Sequence, residues 1–308
     1  MPHIVISGAS GNLGRKIAAE ILGRLPPEQV ALTTRTPDRL SSLATRGVRI
    51  HAANYRDPAA LEAAYRGSDT LMLISGLDVT HRVPEHRNAI EAAKRAGIRR
   101  IVYTSTAGVH PRNPTLSASD HIVTEADLRA CGLDFTILRD ATYAEVFPTV
   151  AAAPALRSGK FHHVKGHGRL APVSRRDIAR CAAACLLEPD LHRGATYEIT
   201  GPELLTFRQI VALMSKHFGV PIEYVECTPE DRYAQFDAMG IPRKYTEGMA
   251  THADAHLWCS EEMVTAEIAF EQGYHAILTD HVEFITGRKP HTLQEVFDFC
   301  RGLDFNDT

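Results

Sequence analysis

A chain of 308 residues is long enough for one large α/β domain, or for such a domain carrying a smaller lobe. Its hydrophobic fraction of 44% and charged fraction of 23% are those of an ordinary globular protein. A net charge of −3, with no long run of one sign, argues against nucleic acid or an anionic membrane as the main partner.

The N-terminus enters an apolar run almost at once, without a basic leader ahead of a long apolar stretch, and no apolar run is long enough to span a bilayer. The cysteines at 131, 181, 185, 227, 259 and 300 form no C-x-x-C pair and predict reduced thiols in a cytoplasmic protein. Cys181 and Cys185, one helical turn apart, read as two small buried side chains.

In chain order, HIVISG (3–8) predicts a strand, and LGRKIAAEILGRL a helix whose Leu13, Ile17, Ile21 and Leu25 share one face. VALTTR (30–35) is a second strand, followed by a short helix around 37–46. VRIHAAN (48–54) is a third strand, PAALEAAYRG a helix, and TLMLISG (70–76) a continuous apolar strand of the buried parallel type. HRNAIEAAKRAG is a helix with Gly97 at its C-cap. RIVYTSTAG (100–108) and DFTILRDA (134–141) are strands on either side of the helix that contains SASDHIVTEADL (117–128), for which Ser119 or Asp120 is the candidate cap.

Residues 148–173 read as loop with short strands, and SRRDIARCAAACLLEP as a helix with Ser174 and Asp177 in a capping-box-like arrangement. ATYEITGP and IEYVECT predict strands, LTFRQIVALMSKHFG an amphipathic helix, residues 229–265 further helix, and TLQEVFDFC the closing one. Strand–helix alternation predicts an α/β fold, a Rossmann-type doubly wound parallel sheet with a small discontinuous C-terminal α/β lobe. The expected division is a dinucleotide-binding core over 1–150, rejoined by 174–200, and a substrate lobe from 151–173 and 201–308.

GASGNLG (8–14) lies between the first strand and the first helix. Gly8 permits a tight turn, Gly11 lets backbone approach a pyrophosphate, and Gly14 lets helix pack on strand. The helix N-terminus then offers N–H groups to phosphates. The second strand ends in Thr33-Thr34-Arg35, without the carboxylate that holds ribose hydroxyls in NAD sites; a guanidinium there suits the 2′-phosphate of NADP(H).

These segments, with HRNAIEAAKRAGIRRIVYTS, HIVTEADLRACGLDFTILRDATYAE, RRDIARCAA and TGRKPHTLQEVF, resemble the atypical short-chain dehydrogenase/reductases of the NmrA-like group. Within it the chain is most similar to the quinone oxidoreductase and triphenylmethane reductase branch. The resemblance implies NADP(H), with Gly8, Ser10, Gly11, Asn12 and Leu13 at the pyrophosphate, Gly14 in the same cofactor-binding turn and Arg35 at the 2′-phosphate. It also implies Asn54 and Tyr55 near adenine, Ser75 and Gly76 beside the nicotinamide ribose, and Thr104 in the same cofactor set. Thr106 takes the place of a substrate-binding Ser/Thr. The Tyr-x-x-x-Lys pair of extended relatives falls on Ser117 and His121, ahead of Glu125.

Without that pair, reduction of an isolated ketone lacks a matched proton donor. A quinone that accepts hydride becomes a delocalised, weakly basic oxyanion, which needs positioning and one hydrogen-bond donor. The expected substrate is therefore a small aromatic or quinone-like acceptor. His121 is the candidate donor, or a holder of the nicotinamide ribose, with an ordinary imidazole pKa suited to either role at neutral pH. Tyr143, at the carboxyl edge of the sheet, is the candidate site-lining aromatic. Phe147, Tyr233, Phe236, Tyr245 and Trp258 are candidates for an apolar cap. His162, His163 and His167 lack supporting carboxylates and read as a lid or turn rather than a metal site. The alternatives are a redox sensor that binds NADP(H) without turnover, and an aromatic ether, lactone or imine reductase. The chain is expected to be a monomer or homodimer.

Overall fold

The computed structural model describes residues 3–79, 81–245 and 259–303. The first half runs β1 (Ile4–Ile6), α1 (Asn12–Leu22), β2 (Val30–Thr34), α2 (Ser41–Ala44), β3 (Arg49–Ala52), α3 (Pro58–Tyr65), β4 (Thr70–Leu73), α4 (Arg82–Ala96), β5 (Arg100–Thr106), α5 (Leu116–Ala130) and β6 (Asp134–Asp140). The second half continues α6 (Ala152–Ser158), β7 (Lys160–Val164), β8 (Arg169–Leu170), α7 (Arg175–Leu187), β9 (Thr196–Ile199), β10 (Leu205–Thr206), α8 (Phe207–Phe218), β11 (Glu223–Cys227), α9 (Pro229–Ala238), α10 (Ser260–Glu271), α11 (His281–Thr286) and α12 (Leu293–Phe299).

Seven strands form one parallel sheet in the order β3-β2-β1-β4-β5-β6-β9. Alternation along β1 shows why both faces are covered. Ile4 and Ile6 point into a cluster with α1, α7 and Val282 of α11, whereas Val5 points into a cluster with α3, α4 and Leu128 of α5. The strand order reverses between β1 and β4, which opens a crevice at their carboxyl ends.

The lobe has its own core, in which Phe147, Phe207, Met214, Val296 and Phe297 meet. Two small sheets brace it: β7 with β11 in parallel, and β8 with β10 antiparallel.

Local structure departs from the sequence expectations in four places. Residues 148–158, expected as loop with short strands, are helical, and Pro148 falls in the first turn, where no intrahelical N–H is required. Helix α5 begins at Leu116 and is capped by Thr115, whose hydroxyl accepts from Ala118 N–H at 3.2 Å, so Ser119 and Asp120 lie inside it. At α7 the Ser174 hydroxyl caps Arg176 N–H, but Asp177 forms no capping box. Its carboxylate accepts from His291, at 2.8 Å from both the backbone N–H and the Nδ1. Within 229–265, α9 ends at Ala238 and α10 starts at Ser260; Trp258 lies outside the described residues.

Candidate dinucleotide and acceptor site

The glycine turn between β1 and α1 is built for close approach. Gly8 has φ +63°, a left-handed conformation that costs glycine nothing. A Cβ on Gly14 would stand 2.4 Å from the Gly8 carbonyl oxygen and 2.8 Å from Ala9 Cα, so only glycine lets the helix sit this near the turn. Gly11 is the N-cap of α1 and no side chain caps that end. The first-turn N–H groups are thus left for an anion, the arrangement a pyrophosphate requires. Leu13 is buried in the core, so its backbone alone can serve such a ligand. Asn12 accepts from Arg15 at 2.9 Å.

Beside the turn, the Ser10 hydroxyl lies 2.6 Å from that of Thr34 and 3.2 Å from that of Thr36. Arg35, between these threonines in sequence, is exposed and in no ion pair among the described residues. Asn54 is exposed after β3, and its side chain accepts from Arg56 N–H at 3.0 Å. The Tyr55 hydroxyl turns inward, 2.6 Å from both the Ser7 hydroxyl and the Ile74 carbonyl, and its burial raises its pKa. Only the Tyr55 ring is left to meet an adenine. Ser7, fully buried, also donates to Met72 O and accepts from Ile74 N–H, so it joins the ends of β1 and β4 at the crevice floor.

The segment after β4 is held residue by residue. Ser75 N–H donates to the buried Thr104 hydroxyl at 2.9 Å, and Gly76 N–H to His86 Nε2 at 3.1 Å. The Gly76 carbonyl accepts from Arg82 Nε at 2.8 Å. Both amides are therefore committed, and Thr104 acts on this segment through its hydroxyl. Arg82 is itself buried and pairs with Asp120 of α5 at 3.2 Å.

On α5, His121 is 4% exposed and its Nδ1 lies 2.6 Å from the Tyr103 hydroxyl. Burial first, then the Arg82 guanidinium and His86, hold its pKa well below the usual imidazole value. This corrects the expectation of a histidine that titrates near neutrality. Ser117 N–H and Leu116 N–H donate to the buried carboxylate of Glu262 from α10, which ties the lobe to the N-terminus of α5. Glu125 is a structural carboxylate: burial opposes its charge, but Arg139, Ser105 and Arg129 outweigh that and lower its pKa.

Thr106 ends β5, half-buried, opposite Asp140 in register. Tyr143 lies just beyond β6, with the Arg175 guanidinium 4.7 Å from its ring centre and its hydroxyl 3.5 Å from Asp140 Oδ2. Burial, opposed only by that hydroxyl, raises the Asp140 pKa well above the carboxylate range. Of the cap candidates, Phe147 packs in the lobe core and Phe236 beside Val164 and Val264, with Tyr233 against them. Tyr245 stands 6.0 Å from the His81 ring. The three loop histidines do not converge: His163 stacks on Phe207 at 3.8 Å, His162 meets Gln235, and His167 is exposed.

Sequence reasoning missed Ser7, Arg82, His86, Tyr103 and Glu262. A signal existed for two of them. Arg82 and His86 fall in register with Ala89 and Ala93 on the buried face of α4, and polar side chains inside an apolar stripe mark an internal network.

A doubly wound parallel sheet with a glycine-built turn at its switch point defines a dinucleotide-binding α/β protein. Residues 8–189 match the family described as NAD(P)H-binding, and the chain belongs to that family. It is 36% identical, over 240 residues that make up 78% of this chain and 82% of the relative, to quinone oxidoreductase 2 of Escherichia coli (strain K12). The solved structure of the Escherichia coli NADPH-dependent quinone oxidoreductase QOR2 complexed with NADPH is similar, with a TM-score of 0.86 and 30% identity over 97% of this chain and 100% of that one. The Citrobacter triphenylmethane reductase complexed with NADP(H) is similar with a TM-score of 0.81 and 25% identity, over 96% and 99% of the two chains.

Proposed function

We propose that the protein is an NADPH-dependent oxidoreductase that reduces a quinone-like or other conjugated aromatic acceptor. The observation that carries the acceptor class is the environment of α5. Where extended relatives place a tyrosine and a lysine, this chain has Ser117, whose N–H is turned to Glu262, and His121, buried and neutral. Neither is a strong acid, so the site suits an acceptor whose reduced form needs no immediate proton. The relatives named above, a quinone reductase and a dye reductase, support the same class.

When bound, the nicotinamide supplies the hydride. The chain's own residues then have distinct tasks. The uncapped first turn of α1 and the glycine turn hold the pyrophosphate, and Arg35 with Thr34, Thr36 and Ser10 takes the 2′-phosphate. Asn54 and the Tyr55 ring flank the adenine. The Ser75–Gly76 segment, held by Thr104, His86 and Arg82, shapes the nicotinamide end. Thr106, His121 and Tyr143 face the acceptor, with His121 offering a hydrogen bond to its oxygen. The lobe drawn from 151–173 and 201–308 is the part assigned to the acceptor.

Purified protein mixed with NADPH and a panel of benzoquinones, naphthoquinones and cationic triarylmethane dyes tests this reading. Oxidation of NADPH that depends on one of these acceptors is the expected result. Tight NADPH binding with no turnover on any of them would overturn it in favour of a sensor of NADP(H).

A further inference from the structure

A chain of buried polar contacts leads from the Gly76 amide to His121, and its polarity can be followed donor by donor. It starts at a group whose role is fixed, because a backbone N–H can only donate. Gly76 N–H donates to His86 Nε2 at 3.1 Å, so that nitrogen carries no proton. His86 is fully buried, and burial pushes its pKa down to about 3, so the ring is neutral and its single proton sits on Nδ1. From Nδ1 it donates to Thr124 Oγ1 at 3.0 Å, and the Thr124 hydroxyl passes its own proton to the Asp120 carbonyl at 3.0 Å.

The Tyr103 hydroxyl, on a fully buried side chain, lies 3.4 Å from His86 Nδ1 and 2.6 Å from His121 Nδ1. The first nitrogen is a donor and cannot take the Tyr103 proton. The second can. Burial raises the phenol pKa, so the hydroxyl keeps its proton and hands it to His121 Nδ1 as a hydrogen bond. A neutral His121 that accepts at Nδ1 must carry its proton on Nε2. The opposite polarity would send the Tyr103 proton to the Thr124 hydroxyl, which already takes the His86 proton on one of its two lone pairs; the short 2.6 Å contact with His121 Nδ1 favours that nitrogen as the acceptor.

We propose that Tyr103 is a positioning residue that locks His121 as the Nε2–H tautomer, so that His121 is a fixed hydrogen-bond donor for the oxygen of the acceptor. This rests on the acceptor-site reading of His121 given above. No proton leaves His121 during the reaction. The imidazole stabilises developing negative charge as a neutral donor, and its orientation is set before substrate arrives. His86 stands one step behind, because its own tautomer, set by Gly76, is what denies Tyr103 a second acceptor nitrogen.

The test is long-range proton–nitrogen NMR of the protein labelled with 15N-histidine, without ligands, at pH 7, with His121 assigned by its loss in His121→Gln. The expected spectrum has a pyridine-type Nδ1 and a pyrrole-type Nε2 for His121. In Tyr103→Phe, which keeps the ring that packs the core, the His121 signals should move to a tautomer average. The kcat for a quinone should fall about tenfold or more, with the KM for NADPH unchanged. A pyrrole-type Nδ1 in the unaltered protein would overturn the proposal, and so would a Tyr103→Phe variant with unchanged His121 signals or unchanged kcat. If Tyr103→Phe does not fold, the spectrum of the unaltered protein decides the polarity by itself. Absence of quinone turnover in the unaltered protein would count against the acceptor reading alone, since the NMR result stands without substrate.

Discussion

At the scale of single residues, the proposed preference for NADPH rests on one side chain. Arg35 follows β2 where a carboxylate would select NAD, and it is exposed. Arg35→Ala should raise the KM for NADPH by about tenfold or more, the scale of one charge-assisted phosphate contact, and leave the KM for NADH nearly unchanged. Steady-state kinetics with the two cofactors checks this; equal effects would remove Arg35 from the 2′-phosphate. His86 gives a pH prediction. Below about pH 6.5 an unfolded histidine takes up a proton that folded His86 refuses until about pH 3. Unfolding therefore binds protons in that window, and stability falls with pH by up to about 1.4 kcal/mol per unit for this group. Asp140 has the opposite sign, because its raised pKa gives stability at low pH that is lost as pH rises. The prediction thus concerns a difference: urea unfolding between about pH 6 and 4 should lose close to one proton of pH dependence in His86→Gln relative to the unaltered protein.

At the scale of elements, α5 shows what a helix end can recruit. The first turn of α5 receives a carboxylate from a helix far along the chain, Glu262 of α10, rather than from its own sequence. Burial raises the Glu262 pKa, and the N–H donors of Leu116 and Ser117 together with Arg82 oppose that rise. Glu262→Gln should destabilise the protein by about 1–2 kcal/mol, and hydrogen exchange should speed up in the first turn of α5 and along α10 but not in β1 or β4. The packing of α1 on β1 is equally local in cause: Gly14→Ala puts a methyl group against the Gly8 carbonyl, so it should lower NADPH affinity together with stability.

At the scale of the whole molecule, the chain passes between large sheet and lobe where Gly201, just after β9, crosses Pro172. A Cβ at Gly201 would lie 1.9 Å from the Pro172 carbonyl oxygen, and Gly201 N–H donates to Ala171 O at 3.1 Å. Backbone on both sides leaves nothing flexible to yield, so Gly201→Ala should cost about 2 kcal/mol or more and lower the melting temperature. An unchanged melting temperature would show that this crossing can open. Among the described residues no helix is long and apolar enough to cross a membrane.

The doubly wound sheet and the glycine turn were legible in the sequence because both are set by local rules. Strand and helix periodicity, the left-handed Gly8 and the close approach at Gly14 depend on residues within one β-α unit. The place of Arg35 just after β2 is local in the same way. The carboxylates that meet the first turns of α5 and α7, and the state of His121, were not legible, although the Ser174 cap of α7 was. Each depends on a partner that only folding brings near: Glu262 lies 145 residues from Ser117, Glu145 lies 30 residues from the Arg175 N–H it accepts from, and Tyr103 lies 18 residues from His121. Burial, which holds the His121 pKa well below the usual imidazole value, exists only once those elements have packed. By itself the sequence determined the parallel sheet and the glycine turn, which local rules set; the tertiary structure decided which buried partners surround His121, because only packing brings them together.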